Sequence, residues 1–319
     1  MTSIAAVVVT FNRKLLLVEC LTGLLAQSLP LTRILVVDNA SGDGTAQLLE
    51  ERGFLKDPRI RYMRLDRNTG GAGGFHDGMK AAYDEGHDWL WLMDDDAEPE
   101  PRALEHLSHY FDREDVAGLA PMVTDATWSN EYVEPHRGMR VDQAMTGVVR
   151  PLTARETAGQ PVLPITHCSF VGPLFSRKTI DAVGLPLAEF FIHYDDYEYV
   201  QRARKVGPIL LVMAAKIAHK EARNNNRVET KRFLHARAER PKYDSLWLSY
   251  YGYRNVVWLT KQDSRGLKRL RLLTRHARRL AEVIAYDDRK LARIAFWNAA
   301  LLDGWNGRFN NDRPKQLLR

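Results

Sequence analysis

Two cysteines in 319 residues, Cys20 and Cys168, are too few for a disulfide framework, and their spacing matches no zinc site. Long hydrophobic runs are equally scarce. The longest, such as Ile4 to Val9, reach five to seven residues, far short of the roughly 20 that cross a bilayer as a helix. The opening MTSIAAVVVTFNR has no charged leader region and reads as a strand rather than a signal peptide. No Walker A loop occurs, because no Gly-Lys-Ser/Thr follows the one glycine-dense stretch. Internal repeats and low-complexity linkers are missing too. These absences leave a soluble, intracellular protein as the expectation. With 45% hydrophobic residues the chain is long enough for one large domain, or one domain with an appendage.

Charge is present but unevenly spread. From Ser245 to Arg319 there are 16 Lys/Arg against 6 Asp/Glu, so with a net charge of +6 the preceding 244 residues sum to −4. An acidic body with a basic tail points to an anionic partner for the tail, a nucleic acid or a membrane surface; a solvated helical face is the plainer alternative. The tail contains no recognisable nucleic-acid module, so no nucleic-acid partner is expected. From about Tyr243 it reads as helices, with aromatic and Leu positions inward and Arg/Lys outward.

The first half alternates strand and helix patterns. AAVVVTF, ILVVD, IRYMRL and WLWLM are short apolar or β-branched runs. Between them, Leu15–Gln27, Gly44–Gly53 and Gly74–Gly86 have amphipathic helical spacing. This order predicts an α/β fold with a mainly parallel sheet covered on both faces, whose ligands bind beyond the carboxyl ends of the strands. Thr10 to Arg13, Asp38 to Ser41, Arg67 to Gly71 and Asp94 to Asp96 follow four successive strands and converge there. Residues 124–164 read as loops and short strands, a hairpin among them. "THCSFVGPLFSRKTI" (Thr166–Ile180) predicts a strand then a helix, and PILLVMAA another strand.

Within "WLWLMDDDAEPEP" three aspartates repel one another and demand a positive charge. At a strand end, a divalent cation such as Mg²⁺ or Mn²⁺ supplies it most simply. Side chains at i and i+2 of an extended chain point the same way, so Asp94 and Asp96 reach a common site while Asp95 points elsewhere. A solvated turn, or the cap of a helix beginning at Ala97, is the structural alternative. "NTGGAGGFHDG" permits close backbone approach to a ligand at a helix N-terminus, or equally a glycine turn for tight packing. In "FFIHYDDYEYVQRAR", Asp195 and Asp196 head a helix; this is explained equally by the helix dipole and by a general base. His219, just past a strand, gains weight only beside the aspartates.

Taken together, these motifs resemble the nucleotide-sugar-dependent glycosyltransferases of family 2, with the GT-A fold. "VVVTFNR", "ILVVDNASGDGT", "RNTGGAGGFHDGM", "WLWLMDDDAEPEP" and "FFIHYDDYEYVQRAR" fall in that family's order over about Ile4 to His219. Within it, "WLMDDDA" with "NTGGAGG" is most similar to the UDP-galactofuranose-dependent galactofuranosyltransferases of bacteria; dTDP-rhamnose-dependent rhamnosyltransferases share much of the pattern.

The resemblance implies a Rossmann-like GT-A domain over 1–242, with a donor half to about 123 and an acceptor half from about 124, then a basic helical extension over 243–319. It implies Asp94, Asp96 and His219 as ligands of Mn²⁺ or Mg²⁺, and Asp95 near the donor sugar or ribose. Thr10, Phe11, Arg13 and Asp38 would wall the base, with Asn68 and Gly71 bordering the donor. Asp196 would be the catalytic base, with Asp195 its neighbouring alternative, and Ser169–Phe175 would floor the acceptor site. The family's second acidic motif is usually Glu-Asp, sometimes Asp-Asp preceded by Trp; here His193-Tyr194 precedes Asp-Asp. The implied partners are a nucleotide-sugar donor and a glycan or polyprenyl-diphosphate-linked acceptor. The implied place is the cytoplasm, peripheral on the inner membrane, with Lys268, Arg269, Arg271, Arg275, Arg278 and Arg279 on an anionic leaflet or the segment packed in a homo-oligomer.

Overall fold

Ile4–Thr10 (β1) has all seven residues buried, which requires an apolar or internally bonded side chain on both faces of the strand. Alternate residues serve opposite layers: Ile4, Ala6 and Val8 join one hydrophobic cluster, and Ala5, Val7 and Val9 the other. This computed structural model describes residues 2–126, 139–141, 149–220, 227–233, 236–262 and 266–319. Its contacts divide the chain into two compact units, Met1–Ala188 with Asp195–Ala222, and Glu189–Tyr194 with Arg223–Arg319.

In the first unit β1 is followed by α1 (Lys14–Leu25), β2 (Arg33–Asp38), α2 (Thr45–Glu51), β3 (Ile60–Arg64), α3 (Gly70–Asp84) and β4 (Trp89–Asp94). Next come β5 (Ala97–Pro99), α4 (Ala103–Ser108), β6 (Gly118–Thr124), β7 (Met139–Val141), β8 (Val149–Pro151) and α5 (Ala154–Thr157). The unit closes with β9 (Val162–Ile165), β10 (Leu174–Ser176), α6 (Arg177–Val183), α7 (Asp195–Ala203) and β11 (Ile209–His219). Among the described residues nine strands form one sheet, ordered β3-β2-β1-β4-β10-β6-β11-β5, with β9 also on β11. The longest ladders, β3-β2, β2-β1, β1-β4 and β6-β11, are parallel, while β10, β5 and β9 pair antiparallel. The expected mixed, mainly parallel α/β sheet is therefore present.

Helix α1 presents Leu17, Cys20, Leu21 and Leu24 to one layer, a spacing that makes a single apolar stripe. Helix α3 lies on the other layer and differs from expectation. It begins at Gly70 rather than Gly74, so most of the glycine run is helical. The reason is packing, which overrides the poor helix propensity of glycine. A Cβ on Gly74 would come within 2.5 Å of Val9, and one on Gly78 would overlap Val7 and lie 2.8 Å from Val37.

Two further expectations are corrected. Ala97–Pro99 forms a strand against the end of β11 rather than the start of a helix. In "SFVGPLF" only Leu174 onward is strand; Gly172 turns the chain at φ +85, pressed against Ile217 where a Cβ has no room. β7 and β8 do make an antiparallel pair, while residues 127–138 and 142–148 of the middle region lie outside the described residues.

The second unit holds β12 (Val228–Phe233) and β13 (Ala236–Pro241), paired as a hairpin, then α8 (Leu246–Gln262), α9 (Gly266–Tyr286), α10 (Lys290–Asn306) and α11 (Arg313–Gln316). Tyr250, Val257, Leu272, Val283, Phe296 and Trp297 share its core. Aromatic residues do face inward, but the expectation of inward aromatic and Leu positions with outward Arg/Lys has exceptions in both directions. Arg254 and Arg293 are fully buried, whereas Leu267, Leu270 and Leu273 are exposed. Arg240 is bonded through two nitrogens to Asp287, at 2.9 Å each, and Arg293 reaches Asp288 at 2.7 Å; buried guanidinium groups require such partners.

Within the same unit, Phe191, His193 and Tyr194 adopt positive φ of 64°, 69° and 67°, an uncommon conformation for bulky residues. The Asn255 carboxamide donates to the carbonyls of Phe190, Ile192 and His193 at 3.0, 3.2 and 2.9 Å, and Arg254 donates to those of Glu189 and Phe190. These bonds hold the segment in that shape.

Candidate functional site

The register of the parallel strands brings the polar strand ends together. Thr10 pairs with Asp38 across β1 and β2, and Val9 pairs with Asp94 across β1 and β4. Asp94 closes β4, and Asp95-Asp96 form the two-residue turn into β5. Because β5 runs antiparallel to β11, with Ala97 opposite His219, the turn meets the histidine at the far end of the sheet. Lys220 reinforces this junction by donating its backbone N–H to the Asp96 carbonyl at 2.9 Å.

Asp94, Asp96 and His219 each offer a donor atom within 4.8 Å of the others. His219 Nε2 lies 3.1 Å from Asp96 Oδ1. Asp95 points elsewhere, as expected: its Oδ2 accepts from the Thr10 hydroxyl at 2.8 Å and from the Phe11 N–H at 3.4 Å. Arg13 supplies positive charge within the chain itself, with Nη1 2.7 Å from Asp96 Oδ2 and 3.3 Å from Asp95 Oδ1. Burial, and then the charge of Asp96, pushes the Asp94 carboxyl well above its ordinary range. Burial pushes Asp95 up to about 6 against the pull of Arg13 and Thr10. Asp96 is buried too, yet the hydrogen bond and charge of His219, joined by Arg13, hold it below the usual carboxylate range. Two carboxylates and an imidazole form a hard oxygen-nitrogen set suited to Mn²⁺ or Mg²⁺.

The neighbouring strand ends are internally bonded. Asp38, fully buried, accepts from the Ser41 N–H at 2.8 Å and from the Tyr62 hydroxyl, with Arg64 at 3.7 Å. Asn68 Oδ1 accepts from the Gly70 N–H at 2.7 Å, and the Cα of Gly71 faces open space. Phe11 exposes its ring. Asn39 was not singled out from the sequence. Its carboxamide accepts from the Thr69 N–H and donates to the Gly70 carbonyl, at 2.8 and 2.7 Å, tying the end of β2 to the start of α3.

A second cluster forms at the head of α7. Asp195 is buried, and burial together with the charge of Asp196 pushes it up to about 8. Asp196 accepts from the Tyr197 N–H at 2.6 Å, and its Oδ2 lies 3.9 Å from Nε2 of buried His167, beyond hydrogen-bond reach. Burial holds His167 below the ordinary imidazole range despite Asp196, which favours the neutral ring. Its Nδ1 has no hydrogen-bond partner among the described residues. Sequence reasoning missed His167, since a histidine 29 residues before the acids carries no local signal. Glu198 forms a two-bond ion pair with Arg202, at 2.6 and 2.7 Å, which gives this acid a structural task.

Comparison with known proteins places this geometry in context. Residues 5–184 match the model of glycosyl transferase family 2. Galactofuranosyltransferase GlfT1 of Mycolicibacterium smegmatis is 30% identical over 269 residues, 84% of this chain and 85% of that protein. The Mycobacterium tuberculosis H37Rv protein of the same name is 31% identical over 271 residues, 84% of each. The crystal structure of S. aureus TarS 1-349 in complex with UDP superposes with a TM-score of 0.59 at 13% identity, covering 99% of this chain and 83% of that one. GalNAc-T7 with UDP, GalNAc and Mn²⁺ gives 0.55 at 14% identity, over 69% and 44%. These two likenesses concern the fold, which is GT-A with helices at its C-terminal end. A match over more than half of the chain, on the sheet that carries the aspartates, makes this protein a member of glycosyl transferase family 2.

Proposed function

We propose that the chain is an inverting galactofuranosyltransferase. It moves galactofuranose from UDP-galactofuranose to a glycan or polyprenyl-diphosphate-linked acceptor in cell-envelope polysaccharide synthesis, on the cytoplasmic side of the membrane. The observation that carries the donor chemistry is the Asp94, Asp96 and His219 grouping at the strand ends. Similarity to two galactofuranosyltransferases over most of the chain supports the sugar.

A divalent cation held by those three side chains would neutralise the charge that gathers on the departing diphosphate. The remaining work falls to the protein. Phe11 and Arg13 wall the nucleoside, backed by buried Thr10 and Asp38, with Arg13 free to exchange its bonds to Asp95 and Asp96 for donor oxygens. Asn68 and Gly71 border the sugar, where Gly71 leaves room for close approach. Asp196 takes the acceptor hydroxyl proton as that oxygen displaces the nucleoside diphosphate, inverting the anomeric carbon. Burial and the neighbouring charge push Asp195 up to about 8, which favours its protonated form beside the base.

Hydrolysis and transfer assays with a panel of UDP-, dTDP- and GDP-sugars and Mn²⁺ test the reading. Turnover of UDP-galactofuranose supports it, and selective turnover of dTDP-rhamnose replaces the sugar while leaving the chemistry intact. No nucleotide-sugar binding at all would remove it.

A further inference from the structure

Helix α9 has three faces. With 3.6 residues per turn, Leu272, His276 and Val283 fall together, and all three are buried in the second unit. Opposite them run Leu270, Leu273 and Ile284, with Leu267 at the edge of the stripe. These four are 59%, 52%, 56% and 68% exposed, and exposed Ala277 and Ala281 continue the surface between them. Along one flank lie Lys268, Arg271, Arg275 and Arg278. Single exposed apolar residues need no explanation, but a stripe of them beside a row of cations does.

We propose that α9 is an interfacial helix that lies in the plane of an anionic phospholipid bilayer. The stripe enters the boundary between headgroups and acyl chains, and the arginines remain at the level of the phosphates. Charge selects lipid over a second copy of the chain. The helix has six Lys/Arg and one acid, Glu282, and Glu282 is already bonded to Arg240 and Arg278 at 2.8 and 3.1 Å. Two such stripes packed on each other would bring cations together with no free acid to oppose them, whereas an anionic leaflet neutralises the whole flank. No helix among the described residues is long and apolar enough to cross a membrane. The inference is independent of the sugar transferred, since binding requires neither donor nor acceptor.

Flotation of the full chain tests it, using vesicles of phosphatidylcholine alone and of an equal mixture with phosphatidylglycerol. The protein floats with the mixture and not with phosphatidylcholine. The Leu270→Ser, Leu273→Ser double variant loses at least about tenfold in partition, and Arg271→Gln with Arg275→Gln loses roughly 25-fold, an effect that fades as salt rises. Circular dichroism melts matching the parent exclude misfolding in either variant. Failure to float with the anionic mixture, or flotation indifferent to the leucine pair, overturns the proposal. Loss of a solution dimer in the leucine variant, with no vesicle binding by the parent, assigns the stripe to a second copy instead.

Discussion

His219 and Asp96 stand 123 residues apart in the chain and 3.1 Å apart in space, His219 Nε2 against Asp96 Oδ1. Antiparallel pairing of β5 with β11 creates this contact, and Asp94 completes the group. Asp94→Ala, Asp96→Ala and His219→Ala each weaken Mn²⁺-dependent UDP binding by roughly tenfold or more, as measured by calorimetry. Unchanged Mn²⁺–UDP binding in all three variants would remove the metal assignment.

Arg13 balances Asp95 and Asp96 within the chain. Replacing it with Met leaves two buried carboxylates without their guanidinium partner and lowers metal-free stability by about 1–2 kcal/mol, moderated by the partial exposure of Arg13. The gain in Tm on adding Mn²⁺ is then larger in Arg13→Met than in the parent. Equal Mn²⁺ shifts in the two proteins would show that Arg13 and the cation do not share one pool of charge.

Asp196→Asn reduces transfer by about 10² to 10⁴-fold, the usual contribution of a positioned base, while UDP affinity stays at the parental level. The separation matters. A parallel loss of UDP affinity would move Asp196 from the acceptor's proton to the donor.

Asp195 has its folded value raised to about 8 from 3.8, so the folded state holds a proton that the unfolded state releases. Stability therefore falls as pH rises from about 4 to about 8, by up to about 1.4 kcal/mol per pH unit from this group. Asp195→Asn removes that dependence. Its Tm advantage over the parent grows across that window and levels off above it; an advantage that shrinks toward pH 8 would contradict the burial argument.

Two glycines of α3 separate packing from access. Gly78→Ala pushes a methyl into Val7 and Val37 and costs about 1–3 kcal/mol in urea unfolding. Gly71→Ala meets nothing within 4 Å, so it leaves stability unchanged or improves it by up to about 1 kcal/mol. If Gly71 borders the donor, the same change raises the donor KM. An unchanged KM would free Gly71 from that role.

Much of the sheet was legible because a buried strand needs apolar residues at successive positions, which IAAVVV, ILVV and WLWLM display directly. The grouping of Asp94 with Asp96 was legible from spacing alone, although a turn, rather than a continued strand, brings it about. The start of α3 was misplaced because propensity disfavours glycine where packing against β1 requires it. His167 beside Asp196 was invisible because a long-range partner leaves no periodic trace, while the convergence of 38–41 with 67–71 was legible and only the bonds Asn39 makes there were not.

The basic tail shows the same division. Its excess of Lys/Arg is a property of composition and needs no coordinates. Which leucines of α9 are covered and which face outward depends on what α8 and α10 pack against it, and heptad-like spacing fits either choice. Local sequence thus determined strand identity, the acidic triplet and the charge of each segment, since each depends on residues near one another in the chain. Tertiary structure alone decided which atoms of Arg13 and His219 meet the triplet, that Asp195 is buried beside Asp196, and that one face of α9 stays open. Burial and long-range pairing are set by the whole packed chain.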